Sequence, residues 1–219
     1  MAVSIIVCTY NDSHLLPKAL KSCFEHDVEK EVILVDDAST KPFDPGAMEL
    51  VKSLGVKYIR HDQNSGLSSA RNTGIRHSKY DLIIPMDADD FFYPNTVKVL
   101  YDNMGTADVA YGNVTDSGMT HYPITEEPLR REHFLSRNPL FCSSLFKKSA
   151  WEKVGGYHVR DHAFYEDYRL WCEFFMAGCT FKYVPVTVYE HANRPDSMLK
   201  QLHSNGPFFT KIAQEPLMR

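Results

Sequence analysis

The sequence predicts an α/β domain: a mostly parallel sheet with helices on both faces and a mixed or antiparallel C-terminal part. Three observations carry this expectation. Over the first hundred residues, short apolar runs alternate with amphipathic stretches. The apolar runs are β-branched and nearly unbroken, as in strands covered on both faces. Several of them end abruptly on polar or acidic residues. The length of 219 residues allows one large domain or two small ones. With 43% hydrophobic and 24% charged residues, the composition speaks against disorder and against collagen-like or coiled-coil architecture. Lys plus Arg number 24 against 28 for Asp plus Glu, a net charge of −4, so no broad nucleic-acid or membrane footprint is expected.

The elements follow in order. Ser4 to Cys8 is the first strand. Asp12 or Ser13 is placed to cap a helix whose apolar positions are Leu15, Leu16, Ala19, Leu20, Cys23 and Phe24. Glu31 to Val35 is the second strand and stops at Asp36-Asp37. Pro42, Pro45 and Gly46 mark a loop, and a weaker helix follows around Met48, Val51 and Leu54. Val56 to Ile59 reads as a third strand, and Asn64-Ser65-Gly66 opens a short helix through Leu67, Ala70 and Ile75. Asp81 to Met86 is a fourth strand ending in Asp87-Ala88-Asp89-Asp90, with Pro94 suited to the first turn of another helix.

In the second half, Asp108 to Val114 and Cys142 to Phe146 are strand candidates, separated by a polar, Pro-containing stretch from Asp116 to Pro139. Trp151 to Tyr157 resembles a helix ending in a glycine turn. Glu166 to Ala177 carries Leu170, Trp171, Phe174 and Phe175 at helical spacing and stops at Gly178, before a last strand from Thr180 to Tyr189. With no repeat or linker visible, one domain over 1–219 is expected.

Open parallel sheets bind ligands at the carboxyl ends of their strands, near the point where the strand order reverses. Those ends carry Thr9-Tyr10-Asn11, Asp36-Asp37, His61 to Gly66 and Asp87 to Asp90. Clustered carboxylates repel one another and call for a counter-charge, such as a divalent cation with oxygen ligands. The plainer reading of Asp87, Asp89 and Asp90 is a cap on the next helix; that of Asp36-Asp37 is a turn. Arg71 is placed to meet a phosphate or base, or to pair with one of the acids. No G-x-G-x-x-G follows the first strand and no P-loop occurs, which argues against nicotinamide and P-loop chemistry.

Seven segments in order resemble the family 2 glycosyltransferases of GT-A fold: Val3 to Asn11, Val35 to Ser39, Asn64 to Gly74, Met86 to Asp90, Trp151 to Tyr157, Tyr165 to Trp171 and Tyr189 to His191. The resemblance spans about residues 3 to 200. It implies a UDP-sugar donor, with Thr9, Tyr10 and Asp37 at the uracil and ribose and Arg71 at the nucleotide. It implies Asp87 and Asp89 as a D-x-D pair, Asp87 near the ribose or sugar and Asp89 a ligand of Mn²⁺ or Mg²⁺. It implies Asp167 of Glu166-Asp167 as catalytic base, and His191 as a further metal ligand. On this reading 1–115 is the nucleotide-sugar-binding half and 116–219 the acceptor and base half. The implied reaction is an inverting transfer to an acceptor hydroxyl on a glycan, lipid-linked saccharide, protein or small molecule.

Alternatives stand beside these expectations. Acids ahead of an apolar helix also cap it, Trp151 is free to stack on a sugar or to pack, and Trp171 is expected in the core. A non-catalytic nucleotide-sugar or carbohydrate-binding module on the same fold is the rival reading. A nucleotidyltransferase lacks its Gly-rich, Lys-containing loop here. Cys8 stands where the family often has Pro, and the Q-x-x-R-W motif of processive synthases is missing, so the transfer is expected to be non-processive. Acceptor recognition is expected from 116–139, the last twenty residues or a partner. The N-terminal run lacks the features of a signal peptide, no run reaches the ~20 residues of a membrane span, and the five cysteines show no C-x-x-C spacing; a cytoplasmic protein is expected.

Overall fold

The computed structural model describes residues 2–116, 118–125, 127–159, 165–192, 210–211 and 213–218. The first strand, β1 (Ala2–Thr9), runs through the middle of a parallel set. Its neighbours are β2 (Glu29–Asp36) and β4 (Leu82–Asp87), and β3 (Lys57–Arg60) lies outside β2. The strand order 3-2-1-4 reverses between β1 and β4, so their carboxyl ends meet at the switch point. Register places Thr9 opposite Asp36 and Cys8 opposite Asp87.

Beyond β4 the sheet changes hand. Short β8 (Leu145–Lys147) is antiparallel to both β4 and β6 (Val109–Asp116). The long β9 (Phe181–His191) then runs parallel to β6, and β5 (Phe91–Phe92) pairs antiparallel with β9 at the edge. A further strand, β7 (Met119–His121), hangs on β6. Nine strands thus form one sheet among the described residues. The expected mixed half is present, although its longest pairing is parallel.

Period-2 alternation along the strands feeds two cores. Val3, Ile5 and Val7, with Val32 and Leu34, pack against α1 (Leu16–Cys23), α2 (Pro45–Ser53) and α4 (Thr96–Met104). Ile6 and Cys8, with Ile33 and Val35, face α3 (Leu67–Arg76), α5 (Arg131–Ser136), α6 (Lys148–Val154) and α7 (Glu166–Met176). Trp171 is fully buried in this second core, edge-on to Phe146 and Phe174.

Several starts and stops differ from expectation. Neither Asp12 nor Ser13 caps α1: a 3₁₀ turn (Ser13–Leu15) precedes it, and Ser13 Oγ accepts from Asp44 N at 2.8 Å instead. Pro45 and Gly46 belong to the first turn of α2, where the missing N–H of proline costs nothing, and Asp44 caps that helix through Ala47 N. Pro94 stays outside α4, whose N-cap is Asn95 in a left-handed conformation. The stretch 116–139 contains β7 and α5.

Candidate active site

The carboxyl ends of β1, β2, β3 and β4 lie along one edge, and each brings its polar residue there. Asp37 N donates to Thr9 O at 3.0 Å and His61 N to Asp36 O at 2.9 Å, which stitches three ends together. Asn11, at φ 63°, secures the next turn: its Oδ1 accepts from Thr40 N and Lys41 N. The two acids of the second strand end separate cleanly. Asp36 is internal, bonded by Ser39 N, Tyr58 and Arg60. Burial works to raise its pKa, but these donors win and hold it below the ordinary carboxylate value.

Asp37 faces the loop ahead of α3. Its Oδ1 meets His61 Nδ1 at 2.7 Å and accepts from Ser65 N at 2.9 Å; its Oδ2 accepts from Gly66 N at 2.7 Å. Gly66, at φ 84°, supplies the turn a side chain rarely adopts. An open polar cleft of about 550 Å³ adjoins this loop, lined by Arg60, His61, Asp62, Gln63, Ser65 and Ser69. At the end of β1, Thr9 is buried with no partner for Oγ1 among the described residues, and Tyr10 is 43% exposed.

At the switch point the acids do not cap α4. Asp87 accepts from Arg71 Nη2 at 2.7 Å, and Arg71 Nη1 donates to Glu166 Oε1 at 2.5 Å. Arg71 is only 1% exposed, with its guanidinium 5.5 Å from the Tyr157 ring. Of the two roles open to it, pairing with acids is the one seen. This bridge, buried at Arg71 and Glu166 and part exposed at Asp87, joins the Asp87 turn to the first turn of α7, where Asp167 follows Glu166. Asp90 is buried beside Asp87 and Asp89, and burial first, then those charges, push its pKa strongly up. Its Oδ1 accepts from Ala192 N at 2.9 Å, which draws the end of β9, and with it His191, to the acidic turn.

Asp167 lies just past Tyr165, a non-glycine residue at φ 62° and the N-cap of α7. Such backbone strain concentrates at functional positions. Asp167 Oδ1 accepts from Tyr168 N at 2.7 Å, and Oδ2 from Asn138 Nδ2 at 3.0 Å. The capping role is therefore real but takes one oxygen only. Burial pushes both Glu166 and Asp167 upward in pKa, and Arg71 opposes it in each case.

Among the described residues no three His, Cys, Asp or Glu side chains converge as a metal-ligand set. The donors at the turn are nevertheless hard oxygens, and a cation of the Mg²⁺ type takes one or two carboxylates and completes its shell with water and substrate phosphate. Asp89 is a donor of that type, whereas His191, at the end of the strand tied to Asp90 through Ala192 N, offers an imidazole nitrogen. The five cysteines are free, and burial raises Cys8 to about 12, so it is no nucleophile at neutral pH.

The sequence profile described as Glycosyl transferase family 2 matches residues 4–165. The chain belongs to that family. The fold agrees: Staphylococcus aureus TarS (residues 1–349), crystallised with UDP-GlcNAc, superposes on this family 2 chain with a TM-score of 0.75 at 17% identity, over 91% of this chain and 61% of TarS. The observed architecture is the expected GT-A fold. A UDP-Gal:alpha-D-GlcNAc-diphosphoundecaprenol beta-1,3-galactosyltransferase of Escherichia coli is 29% identical over 194 residues, 80% of this chain and 68% of that protein. The uncharacterized glycosyltransferase YwdF of Bacillus subtilis is 29% identical over 133 residues, 58% of this chain and 49% of that protein. The chain spans about half the length of the first curated relatives it matches.

Two family segments gain a structural explanation. Asn72 Oδ1 accepts from Trp151 Nε1 at 3.0 Å and Tyr157 N at 2.8 Å, while Nδ2 donates to Tyr157 O at 2.7 Å. Trp151 is buried on this amide, and not free to stack on a sugar. A Cβ at Gly156 would stand 2.8 Å from Asn72 Oδ1 and 2.9 Å from the Trp151 ring, so the glycine lets the clamp close. Asn72 and Asn138 were missed by sequence reasoning: one lay unassigned in a family segment, and Asn138-Pro139 reads only as a turn. Of the expected acceptor elements, 200–209, 212, 219 and positions 117 and 126 lie outside the described residues.

Proposed function

We propose that this family 2 domain transfers a sugar from a UDP-sugar to an acceptor hydroxyl by one inverting, non-processive displacement, with Mn²⁺ or Mg²⁺ as cofactor. The observation that carries the reading is the Asp87–Arg71–Glu166 bridge, centred on a buried arginine, which fixes the acidic turn against the helix end bearing Asp167. The names of relatives support a uridine donor, since TarS was crystallised with UDP-GlcNAc and the E. coli relative is named for UDP-Gal. Residues 1–115 would hold the nucleotide sugar through Thr9, Tyr10 and Asp37, the last bonded to His61 and Ser65 of the cleft, and 116–219 would supply base and acceptor contacts. The acceptor is a glycan, lipid-linked saccharide, protein or small-molecule hydroxyl. The free cysteines and the lack, among described residues, of a helix long and apolar enough to cross a membrane support a cytoplasmic setting.

Asp89, with His191, would hold the cation, which when bound stabilises the charge developing on the diphosphate. Asp87 would orient the ribose or sugar, and Arg71 would hold Asp87 in place more than touch nucleotide. Asp167 would take the acceptor proton as the acceptor oxygen bonds to the anomeric carbon and the phosphate oxygen leaves with its electron pair.

Titration calorimetry with UDP, GDP and dTDP, each with and without Mn²⁺, tests the site. UDP should bind in a Mn²⁺-dependent manner, and Asp89→Asn should weaken that binding at least tenfold. Equal UDP affinity in the variant would remove Asp89 from the metal shell; preference for GDP or dTDP would change the donor class. Tight UDP binding without transfer from any UDP-hexose would favour the non-catalytic module.

A further inference from the structure

We propose that Asn138 is a positioning residue for Asp167, its amide turning the carboxylate so that the free side of that group meets the acceptor hydroxyl. The inference rests on Asp167 being the base. The two oxygens are held from different directions: Oδ1 by Tyr168 N of its own helix, Oδ2 by Asn138 Nδ2, 29 residues earlier in the chain. The helix bond alone leaves the carboxylate free to rotate; the second bond fixes the torsion.

Asn138 sits on a rigid support. Pro139 follows it, Pro139 O accepts from Ile124 N at 2.8 Å, and Leu140 is buried in the second core. The amide Oδ1 is itself buried and finds no partner among the described residues. Turning the amide over would set carbonyl oxygen against carboxylate, acceptor against acceptor. The observed orientation thus keeps the bond to Asp167 while Oδ1 has no partner among the described residues.

The groups facing Asp167 define what the bond does. They are Glu166 and Cys172 on its own helix, Arg71 from α3, Asp87 from β4, and Cys142, Tyr157 and Tyr189. Arg71, the cation among them, is already bonded to Asp87 and Glu166. Burial favours the protonated acid, whereas a base must be ionised. Two neutral donors favour the ionised form without adding charge, Tyr168 N first and then Asn138, and Asn138 is the side chain of the two.

Carbon-13 NMR of the carboxylates of the full chain, with Asp167→Asn assigning the signal, reads this without a known acceptor. The titration midpoint of Asp167 should rise by about one unit in Asn138→Ala and further in the isosteric Asn138→Asp. Asn138→Asp carries the test if the alanine variant does not fold. With whichever of UDP-glucose, UDP-galactose or their N-acetyl forms releases UDP fastest, the acid limb of kcat/KM should move up by the same shift. There kcat should fall about tenfold, while KM for the donor stays within twofold. An unshifted midpoint in the folded variants, with Asp167→Asn inactive, overturns the role of Asn138 alone. Near wild-type turnover in Asp167→Asn overturns the base reading beneath it.

Discussion

His26 is an imidazole that the fold keeps neutral. It is buried edge-on to Phe92 at 5.4 Å, and neither ring nitrogen has a partner among the described residues. Burial first, then Lys30, lowers its pKa from 6.5 to about 4. A depressed folded-state value means the unfolded chain binds the extra proton between those two pH values. The contribution is therefore intact above pH 6.5 and is lost as pH falls toward 4, up to about 3 kcal/mol. Urea unfolding at pH 7 and 4.5 should show a smaller loss for His26→Phe than for the native chain; equal losses would remove His26 as the source. At this scale the sequence was partly legible. Asp-Asp at a strand end announces a site, but which acid turns inward depends on Tyr58 and Arg60 of another strand. Amides were the least legible: Asn72 acts through Tyr157, 85 residues away, and no local pattern encodes that.

Between elements, α3 must lie close on β1 for Arg71 to reach both acids, and Gly74 permits it. A Cβ there would stand 2.3 Å from Ile6 Cγ2 and 3.4 Å from Val35 Cγ2. Two effects compete in Gly74→Ala. Helix propensity favours alanine by about 0.8–1 kcal/mol, while overpacking a close-packed core costs about 1–3 kcal/mol. Ile6 is β-branched and fully buried, so it cannot swing aside and the clash should win. The variant should have a lower urea midpoint at unchanged slope and weaker UDP binding; an unchanged midpoint would show that the helix can retreat. Strands and helices of the first half were readable because their periodicity is local. Helix starts were less so, since Pro45 suits a first turn as well as a loop, and two-residue β5 exists only through its pairing with distant β9.

Over the whole molecule, residues 213–218 return to brace the helix that carries Asp167. Ala213 and Leu217 are buried in the second core. Gln214 Nε2 donates to Phe134 O, Leu135 O and the Tyr168 hydroxyl at 2.9, 3.0 and 2.6 Å. Arg169 pairs with Glu215 at 2.8 Å, and Arg131 donates to Leu217 O at 2.5 Å. Deleting 213–219 should lower the melting temperature by about 5–10 °C, the equivalent of a few kcal/mol in a chain of this size, and should reduce transfer more than UDP binding. An unaltered melting curve would show that α7 stands without its brace. This docking was illegible in the sequence, where Gln-Glu-Pro-Leu carries no periodic signal.

The sheet order also dictates a timetable for synthesis. β5 follows the Asp87–Asp90 turn directly, yet its pairing partner is β9, Phe181–His191, which leaves the ribosome about ninety residues later. The parallel strands β1 to β4 have their partners early and can associate while translation continues. The acidic turn has no such opportunity: its far flank is a strand waiting for a neighbour, and Asp90 waits for the amide of Ala192. A nascent chain stalled before β9 would carry β1 to β4 in place and its acidic turn unanchored, so the synthesis of β9 is also the step that completes this edge of the candidate site.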